Sequence, residues 1–265
     1  MTAEAIMAKD GAPNAALLWT DYARGLAEFG SLPVAWPALT RAPRGDGHPV
    51  LVLPGLGAGD LSTLVLRRLL RRLGYRTYAW RLGTNLGPTA RVVEGMPARL
   101  DAIHRAHERP VSLIGWSLGG IFARRLARQA PDAVRQVITL GSPIRLRRHE
   151  DSNARLFYQL TRRGHVEDLP LPLEEGLDPL PVPATSIYSR LDGIVSWRSC
   201  LDESSARAEN IEVRAAHFGF GYHAAVLYAV ADRLAQPAGQ WAPFRPPSWL
   251  RPAYPRPATG GEVGQ

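Results

Sequence analysis

The sequence predicts an α/β fold in which about six mostly parallel strands are covered by helices on both faces. Two observations support this fold class. Short strand-like runs alternate with amphipathic runs along most of the 265 residues, and the strand-like runs are apolar at nearly every position. Parallel strands buried on both faces have this continuous apolar character. The length suits a single α/β domain, to which we assign residues 1–240.

The individual elements follow from the spacing of apolar residues. Apolar residues at helical intervals predict a first helix over 13–29, which Gly30 ends, and a connector rich in proline and glycine follows to Gly47. The segment LSTLVLRRLLRRLGY predicts an amphipathic helix whose paired arginines lie on the face opposite its leucines. The remaining elements are strands at 50–53, 76–80, 111–115, 135–140, 185–189 and 211–215, and helices at 89–107, 118–130 and 223–235.

Two stretches interrupt this alternation. Between residues 142 and 183 the composition shifts towards arginine, proline and acidic residues, with one short helical stretch at 152–161. Because this segment is too long for an ordinary connection, we predict a lid-like insertion at 142–183. The last stretch, 241–265, is rich in proline and predicts an extended, partly ordered tail.

The formal net charge of +8 raises the question of a nucleic acid or an anionic membrane as partner. Lys9 is the only lysine, and the arginines are spread along the chain without interleaved aromatic residues. We therefore predict no nucleic-acid partner and interpret the arginines mainly as solvated helix faces. Weak contact with an anionic membrane surface is the alternative, and the oligomeric state is left open.

Cysteine content and the lengths of the apolar runs bear on the cellular compartment. Cys200 is the only cysteine, which excludes an internal disulfide and a cysteine-based metal cluster, and we expect a buried, inert thiol there. The first residues lack a basic stretch followed by an apolar one, so no secretory signal is expected. Because no apolar run is long enough to span a bilayer, the sequence predicts a soluble, cytoplasmic protein.

The stretch VSLIGWSLGG, residues 111–120, predicts a strand, a tight turn and a helix, with the pattern G-x-S-x-G at Gly115, Ser117 and Gly119. Such a turn is called a nucleophile elbow, since it presents the serine hydroxyl above the sheet. Glycines are needed beside the serine because the flanking backbone passes so close that side chains would collide. The following helix directs its N-terminus at the serine, which favours developing negative charge. We predict that Ser117 is a catalytic nucleophile.

A serine nucleophile needs a base, and the base needs an orienting acid. In this type of site the chain order is serine, acid, histidine. Asp192 and His217 each follow the end of a predicted strand, and the carboxyl ends of parallel strands meet at one edge of a sheet. We therefore predict Asp192 as the acid and His217 as the base. The alternatives are an ordinary Asp-Gly turn at residue 192, and His223, which begins the last helix, as the base.

The other acidic and histidine side chains receive no catalytic role. Downstream of the serine, the remaining aspartates considered lie in a turn, in the irregular segment or on a surface helix: Asp132, Asp151, Asp168, Asp178 and Asp202. The remaining histidines precede the serine or lie in polar surroundings, and we expect them at the surface: His48, His104, His107, His149 and His165.

An oxyanion hole needs backbone N–H donors that converge on one point. One is expected from Leu118, directly after the nucleophile, and the other from Leu56 in the loop LPGLGAG after the first strand. Gly55 allows close approach and Trp116 suggests an apolar acyl pocket, so both are predicted to contact the substrate. The alternatives for the loop are a plain turn or a phosphate-binding loop, but the Lys-Ser/Thr ending of a Walker motif is missing.

With these motifs, the chain resembles the α/β-hydrolase superfamily, and within it the small bacterial lipases and esterases. The resemblance extends from about Pro49 to Leu234, and YSRLDGIV and AHFGFG are similar to the acid and histidine segments of the compact lipases. Pro54 stands where those enzymes usually have the histidine of a His-Gly pair. The resemblance implies a minimal α/β-hydrolase fold and hydrolysis of carboxylic esters without a metal ion or an organic cofactor.

The sequence thus predicts a serine carboxylic ester hydrolase, an esterase or lipase, that acts through an acyl-enzyme on a small-molecule or lipid ester. An acyltransferase, a thioesterase or an amidase with the same triad is the first alternative. A non-catalytic member of the fold that binds a partner is the second. Cleavage of haloalkanes is disfavoured, because the enzymes of that type need an aspartate in place of Ser117.

Overall fold

Six strands form one open sheet in the computed structural model, which describes residues 13–145, 152–166, 179–202 and 205–255. The strands are β1 (Pro49–Leu53), β2 (Arg76–Ala79), β3 (Val111–Trp116), β4 (Val134–Leu140), β5 (Ala184–Ser189) and β6 (Ala208–Val213). Their order is β2-β1-β3-β4-β5-β6, and every neighbouring pair is parallel. The predicted α/β class with six parallel strands is confirmed.

Helices cover both faces of this sheet. They are α1 (Ala15–Leu39), α2 (Leu64–Arg72), α3 (Ala90–His107), α4 (Leu118–Gln129), α5 (Arg155–Thr161) and α6 (Ala224–Leu234). Because successive strand residues point to opposite faces, the run VLVL contributes side chains to two hydrophobic cores, one on each face of the sheet. Val50 and Val52 belong to the core that contains residues of α1, α2 and α6, whereas Leu51 and Leu53 belong to the core of α3 and α4.

The first helix is longer than the sequence predicts. The expected end at Gly30 is wrong, since α1 continues to Leu39 through Pro33 and Pro37. Leu32 and Leu39 are buried in the core, while both prolines lie on the exposed side of the helix. Burial of the two leucines offsets the hydrogen bonds that the prolines cannot make, so packing overrides the local signal.

The arginines of α2 follow the predicted pattern except at Arg67. Arg68, Arg71 and Arg72 are exposed, whereas Arg67 is buried against the core. The guanidinium of Arg67 donates to the carbonyl of Asp60 at 2.6 Å and to the hydroxyl of Thr63 at 3.1 Å. The expectation that it projects from the polar face is therefore wrong, because backbone and hydroxyl acceptors before the helix satisfy it within the fold.

The predicted insertion and tail are described in part. Within 142–183, α5 provides the expected short helix, and residues 146–151 and 167–178 lie outside the described residues, so the lid remains a prediction. The tail is described to residue 255, where the buried Tyr254 donates a hydrogen bond to the carbonyl of Ala225 in α6 at 2.7 Å. Residues 1–12 and 256–265 also lie outside the described part. Among the described helices, none has the length and apolar character required to cross a membrane.

Candidate active site

Ser117 stands at the junction between β3 and α4 in a strained backbone conformation. Its φ is 52° and its ψ is −122°, which is a sparsely populated region for a residue with a Cβ atom. Such strain costs on the order of 1–3 kcal/mol and persists only where the surrounding structure imposes it. The Ser117 amide donates to the carbonyl of Leu140 at the end of β4, which anchors the turn to the sheet.

The glycines of the motif are required by the packing of this turn. A Cβ atom at Gly115 would collide with the backbone of Gly119 and Gly120. A Cβ atom at Gly119 would lie 2.5 Å from the carbonyl oxygen of Leu53 and 2.6 Å from that of Pro54. The strand β3, the start of α4 and the loop after β1 therefore touch through backbone alone, as the G-x-S-x-G pattern predicts.

Asp192 and His217 are hydrogen-bonded to each other. The Nδ1 atom of His217 lies 2.7 Å from Oδ2 of Asp192, and both side chains are buried. The other carboxylate oxygen of Asp192 accepts the backbone N–H groups of Ile194 at 2.8 Å and Val195 at 2.7 Å. This second set of bonds fixes the carboxylate in one orientation, with Oδ2 directed at the imidazole.

Local charges alter the basicity of the imidazole. Burial alone would lower the pKa of His217, but the adjacent Asp192 and the nearby Asp21 outweigh it, so the pKa lies above its ordinary value. The competing candidate His223 has no such carboxylate among the described residues, and burial lowers its pKa to about 4. The geometry therefore favours His217 over His223 as the base.

Ser117 and His217 lie at the same edge of the sheet, although they follow strands that are not neighbours. Three inter-strand spacings, about 14 Å in total, separate β3 from β6. The segment after β6, residues 214–217, covers about 13 Å when extended, so it is long enough to carry His217 back towards β3. The rings of Trp116 and His217 are 6.3 Å apart between centroids. Among the described residues the Ser117 hydroxyl makes no hydrogen bond.

The two amides predicted to form an oxyanion hole are free to bind a ligand. In the described part of the chain, neither the Leu56 N–H nor the Leu118 N–H donates to a protein acceptor, whereas Gly57 and Ala58 do. Leu118 opens α4, so its amide is one of the unsatisfied donors of the helix N-terminus. Gly55 brings the loop close, since a Cβ atom there would lie 3.2 Å from the Cβ atom of Ser117.

Asn85 is a site residue that the sequence analysis missed. It is completely buried and holds the loop after β1 through its side chain and its backbone. Its side-chain amide donates to the carbonyl of Pro54 at 2.8 Å, its carbonyl accepts from Gly57 at 2.7 Å, and its N–H donates to Ala58 at 2.8 Å. These three bonds bracket Leu56, so Asn85 determines where the Leu56 amide points. The only local signal is an asparagine within a glycine-rich loop, which is common in ordinary turns.

Gly141 and Trp116 lie next to residues of the candidate site. Gly141 follows β4 with a φ of 52°, and a Cβ atom there would lie 2.6 Å from the Phe220 ring and 3.1 Å from Oδ2 of Asp192. Trp116 is 7% exposed, and its indole N–H has no partner among the described residues. Both predicted substrate contacts, Gly55 and Trp116, thus flank the serine. The thiol of Cys200 is buried as expected, and burial raises its pKa.

Known structures share the arrangement of strands and helices. Lipase B from Aspergillus fumigatus is 17% identical with a TM-score of 0.52, over 72% of this chain and 53% of that chain. A lipase from Bacillus licheniformis is 17% identical with a TM-score of 0.51, over 69% of this chain and 90% of that chain. The monoacylglycerol lipase from Paleococcus ferrophilus is 18% identical with a TM-score of 0.50, over 72% and 96% of the two chains.

The similarity is one of structure and not of sequence. The match spans about half the length of the Aspergillus lipase and nearly the whole length of the other two proteins. No protein-family profile matches the sequence, and no curated protein matches it. The order of the strands, the turn at Ser117 and these structural relatives agree with one another, and the chain has the α/β-hydrolase fold.

Proposed function

We propose that this protein is a serine carboxylic ester hydrolase of the esterase or lipase type. One observation carries the proposal: the strained Ser117, two unoccupied backbone donors and the Asp192–His217 pair all lie at one edge of the sheet. A buried structural serine needs neither the strain nor the free amides. Each of these features has a defined use in acyl transfer.

The proposed mechanism proceeds through an acyl-enzyme. The Nε2 atom of His217 accepts the proton of the Ser117 hydroxyl while the serine oxygen attacks the ester carbonyl. The carbonyl oxygen becomes an oxyanion, which the amides of Leu56 and Leu118 bind. The tetrahedral intermediate collapses, and the imidazolium returns its proton to the departing alcohol. Water then repeats the sequence, with His217 as base, and releases the carboxylic acid.

Asp192 has two roles in this cycle. Because Oδ2 of Asp192 accepts the Nδ1 proton of His217, it keeps the Nε2 lone pair free and directed away from the carboxylate. Its negative charge also stabilises the imidazolium that forms in each step. The two amides that bind Oδ1 hold the carboxylate still while the charge on the ring changes.

The surroundings favour an ester with an apolar portion. Leu86, Leu191 and Phe218 are each next in the chain to a residue of the site, and each is more than 40% exposed. From these exposed apolar side chains we infer a substrate with an acyl chain or an apolar alcohol.

Labelling with a fluorophosphonate probe, together with a series of p-nitrophenyl esters, tests the proposal. Wild-type protein should be labelled once, at Ser117, and should hydrolyse at least one ester of the series. Ser117→Ala should lose both properties. If neither labelling nor hydrolysis is detected in folded wild-type protein, the protein is not a serine hydrolase and the binding-protein alternative gains support. Addition of an alcohol acceptor distinguishes acyl transfer from hydrolysis, because transfer yields a new ester.

A further inference from the structure

The helix α1 precedes the alternating strands and helices, yet it contacts two loops of the candidate site. Gly193, next to Asp192, lies against the backbone of Leu17, where a Cβ atom would collide with the Leu17 carbonyl. Gly219, two residues after His217, lies against the carboxylate of Glu28, which a Cβ atom would overlap. The acid loop and the histidine loop are therefore both packed on one helix.

Asp21 is the residue of α1 that joins these loops. Its side chain is completely buried. Oδ2 of Asp21 accepts the N–H of Gly193 at 2.8 Å and the N–H of His217 at 2.9 Å, and Oδ1 accepts the N–H of Phe218 at 3.0 Å. Arg24 approaches the same carboxylate at 3.3 Å. One carboxylate thus binds the residue after Asp192 and the backbone of His217 itself.

The ordinary explanation for such a residue is attachment of the helix, but that explanation is incomplete here. The apolar face of α1 already buries Leu32 and Leu39 in the core. A buried carboxylate is costly unless it is hydrogen-bonded, and the three amide donors offset that cost here. Its three amide donors come from the two loops of the candidate site, and its carboxylate also contributes to the raised pKa of His217.

We propose that Asp21 is a positioning residue of the triad, which fixes the loop of Asp192 to the loop of His217. This inference rests on the proposed serine-hydrolase function for its catalytic consequence. The hydrogen bonds themselves do not depend on it. Asp21 touches neither substrate nor the reacting atoms, and acts through the placement and the charge environment of His217.

Several charged and titratable groups lie on or near the histidine loop. The direct partner of His217 is Asp192 from the loop after β5. The groups contributed by α1 and by the histidine loop itself are Asp21, Tyr22, Arg24, Glu28, Tyr222 and His223. Asp21→Asn removes one of the two carboxylates that raise the pKa of His217 and retains the other, Asp192, so we expect that pKa to fall.

The test compares Asp21→Asn with the matched variant Glu209→Gln. Glu209 also accepts a backbone N–H, that of Phe244 at 2.7 Å, and also pairs with an arginine, Arg233, at 2.6 Å. It lies near the start of β6, whereas His217 follows the end of that strand. The two variants therefore make the same kind of change at opposite edges of the sheet.

Two measurements do not require any enzymatic activity. NMR titration of the His217 ring should give a lower pKa in Asp21→Asn than in wild type, and hydrogen exchange at the amides of Gly193, His217 and Phe218 should be faster. Glu209→Gln should change neither. An unchanged titration together with unchanged exchange in folded Asp21→Asn would overturn the proposal, whether or not the protein is a hydrolase.

Kinetics on an ester that the wild type hydrolyses provide the catalytic readout. Asp21→Asn should lower kcat by about 10- to 100-fold with KM within about twofold, since a small misplacement of a catalytic group costs a factor of this size. The acid limb of its pH profile should move to lower pH. A loss confined to KM, or one that merely follows the unfolded fraction, would contradict a positioning role.

The variant Asp21→Glu covers the case in which Asp21→Asn does not fold. It keeps the charge but displaces it by one methylene group. The His217 pKa should then stay close to that of wild type, while exchange at the three amides increases and kcat falls less than in the asparagine variant. Wild-type exchange and wild-type kcat in Asp21→Glu would show that the exact placement of the carboxylate is unimportant and would overturn the proposal.

Discussion

The strand β3 carries a serine near each of its ends, and each serine has a histidine and an aspartate in its surroundings. Ser117 follows the carboxyl end, and Ser112 lies at the amino end, about 16 Å away at the rise of a β-strand. The two regions contain the same three residue types, and both serines lie on or next to β3. They differ in what surrounds those residues, and the difference shows which features support chemistry.

The amino-edge group consists of Ser112, His48 and Asp46. Nδ1 of His48 lies 2.5 Å from the carboxylate of Asp46, and Nε2 lies 2.9 Å from the hydroxyl of Ser112. The sequence analysis expected His48 at the surface, which is wrong, since His48 and Ser112 are both fully buried. On hydrogen bonds alone this group is the more complete of the two.

Access and backbone geometry distinguish the carboxyl edge. Ser112 is paired within the sheet with Val50 on one side and Gln136 on the other, so it adjoins no helix N-terminus. Ser117 is partly exposed, strained, and followed by the free amide of Leu118. A linked serine, histidine and aspartate can therefore be a purely structural element of a core. Solvent access and free donors are the features that favour a reaction centre.

The two histidines also differ in basicity. Burial lowers the pKa of His48, and the arginines Arg135 and Arg109 add to this effect against the opposing influence of Asp46. Both arginines bind the carboxylate of Asp46, at 3.3 Å and 2.7 Å. Within the described residues no arginine contacts Asp192, and the pKa of His217 is raised. An aspartate that also binds arginines raises the pKa of its histidine less than a buried aspartate without such partners.

Replacement of the two serines should give the largest contrast. Ser117→Ala should lower kcat by about a million-fold, as loss of a triad nucleophile does. Ser112→Ala should leave kcat within about threefold, while the unsatisfied His48 nitrogen lowers the free energy of unfolding by about 1–3 kcal/mol. Ester kinetics and urea denaturation of both variants check this. A large loss of turnover in stable Ser112→Ala would contradict the structural role of the amino-edge group.

Replacement of the two aspartates should give the next largest contrast. Asp192→Asn should lower kcat on the order of ten-thousand-fold, since the amide cannot hold the required tautomer of His217. Asp46→Asn should leave kcat nearly unchanged and lower the urea midpoint at neutral pH, where Asp46 is charged and paired. Equal kinetic effects of the two variants would remove the functional distinction between the two edges.

The sequence predicts those residues of the two regions that can be identified from their immediate neighbours in the chain. Ser117, Asp192 and His217 each follow a strand whose apolar run is visible, and the topology of a parallel sheet brings such positions to one edge. The same reasoning overlooks Ser112, because a serine inside the run VSLIGW looks like an ordinary strand residue. Its hydrogen-bond partner is His48, which comes from a connection 64 residues earlier.

Residues that act across long separations are hidden for the same reason. Asp21 binds amides that lie 172 to 197 residues further along the chain, and its local sequence signals only a helix. One signal was available. Asp21 and Glu28 fall on the same helix face as Gly25 and Leu32, and acids at core-facing positions of an amphipathic helix are unusual. The sequence does not predict the end of α1 at Leu39, because the burial of Leu39 depends on tertiary packing.

The pH dependence of the two histidines should sharpen the contrast with a smaller effect. The base must be neutral to accept the serine proton, so kcat/KM should fall as the pH drops through the pKa of His217, with a midpoint above 6.5. The His48 ring should titrate below 6.5. Histidine NMR and the pH–rate profile check both values. The proposed base would be wrong if the rate followed the lower of the two titrations.

The smallest expected effect concerns Glu28, a carboxylate beside the histidine loop whose pKa shifts in the opposite direction to that of Asp46. Burial raises the pKa of Glu28 to about 7, although Oε1 accepts the N–H of Ala216 at 2.8 Å, and Oε2 has no partner among the described residues. Burial also acts to raise the pKa of Asp46, but hydrogen bonds from His48 outweigh it and the net pKa is lowered. Glu28 therefore stabilises the fold less as the pH rises from 4.5 to 7, whereas Asp46 stabilises it less as the pH falls below about 4.

Glu28→Gln should remove the first of these dependences. The glutamine carbonyl still accepts from Ala216, and no charge is left to be buried. We expect the free energy of unfolding to rise by about 1 kcal/mol at pH 8, discounted for the partly exposed side chain, and to change little at pH 4.5. Urea denaturation at the two pH values checks this. Asp46→Asn is the comparison variant, because it should lower the free energy of unfolding whereas Glu28→Gln should raise it. Equal changes at both pH values would mean that the Glu28 carboxylate is solvated, and that α1 does not seal the histidine loop from water.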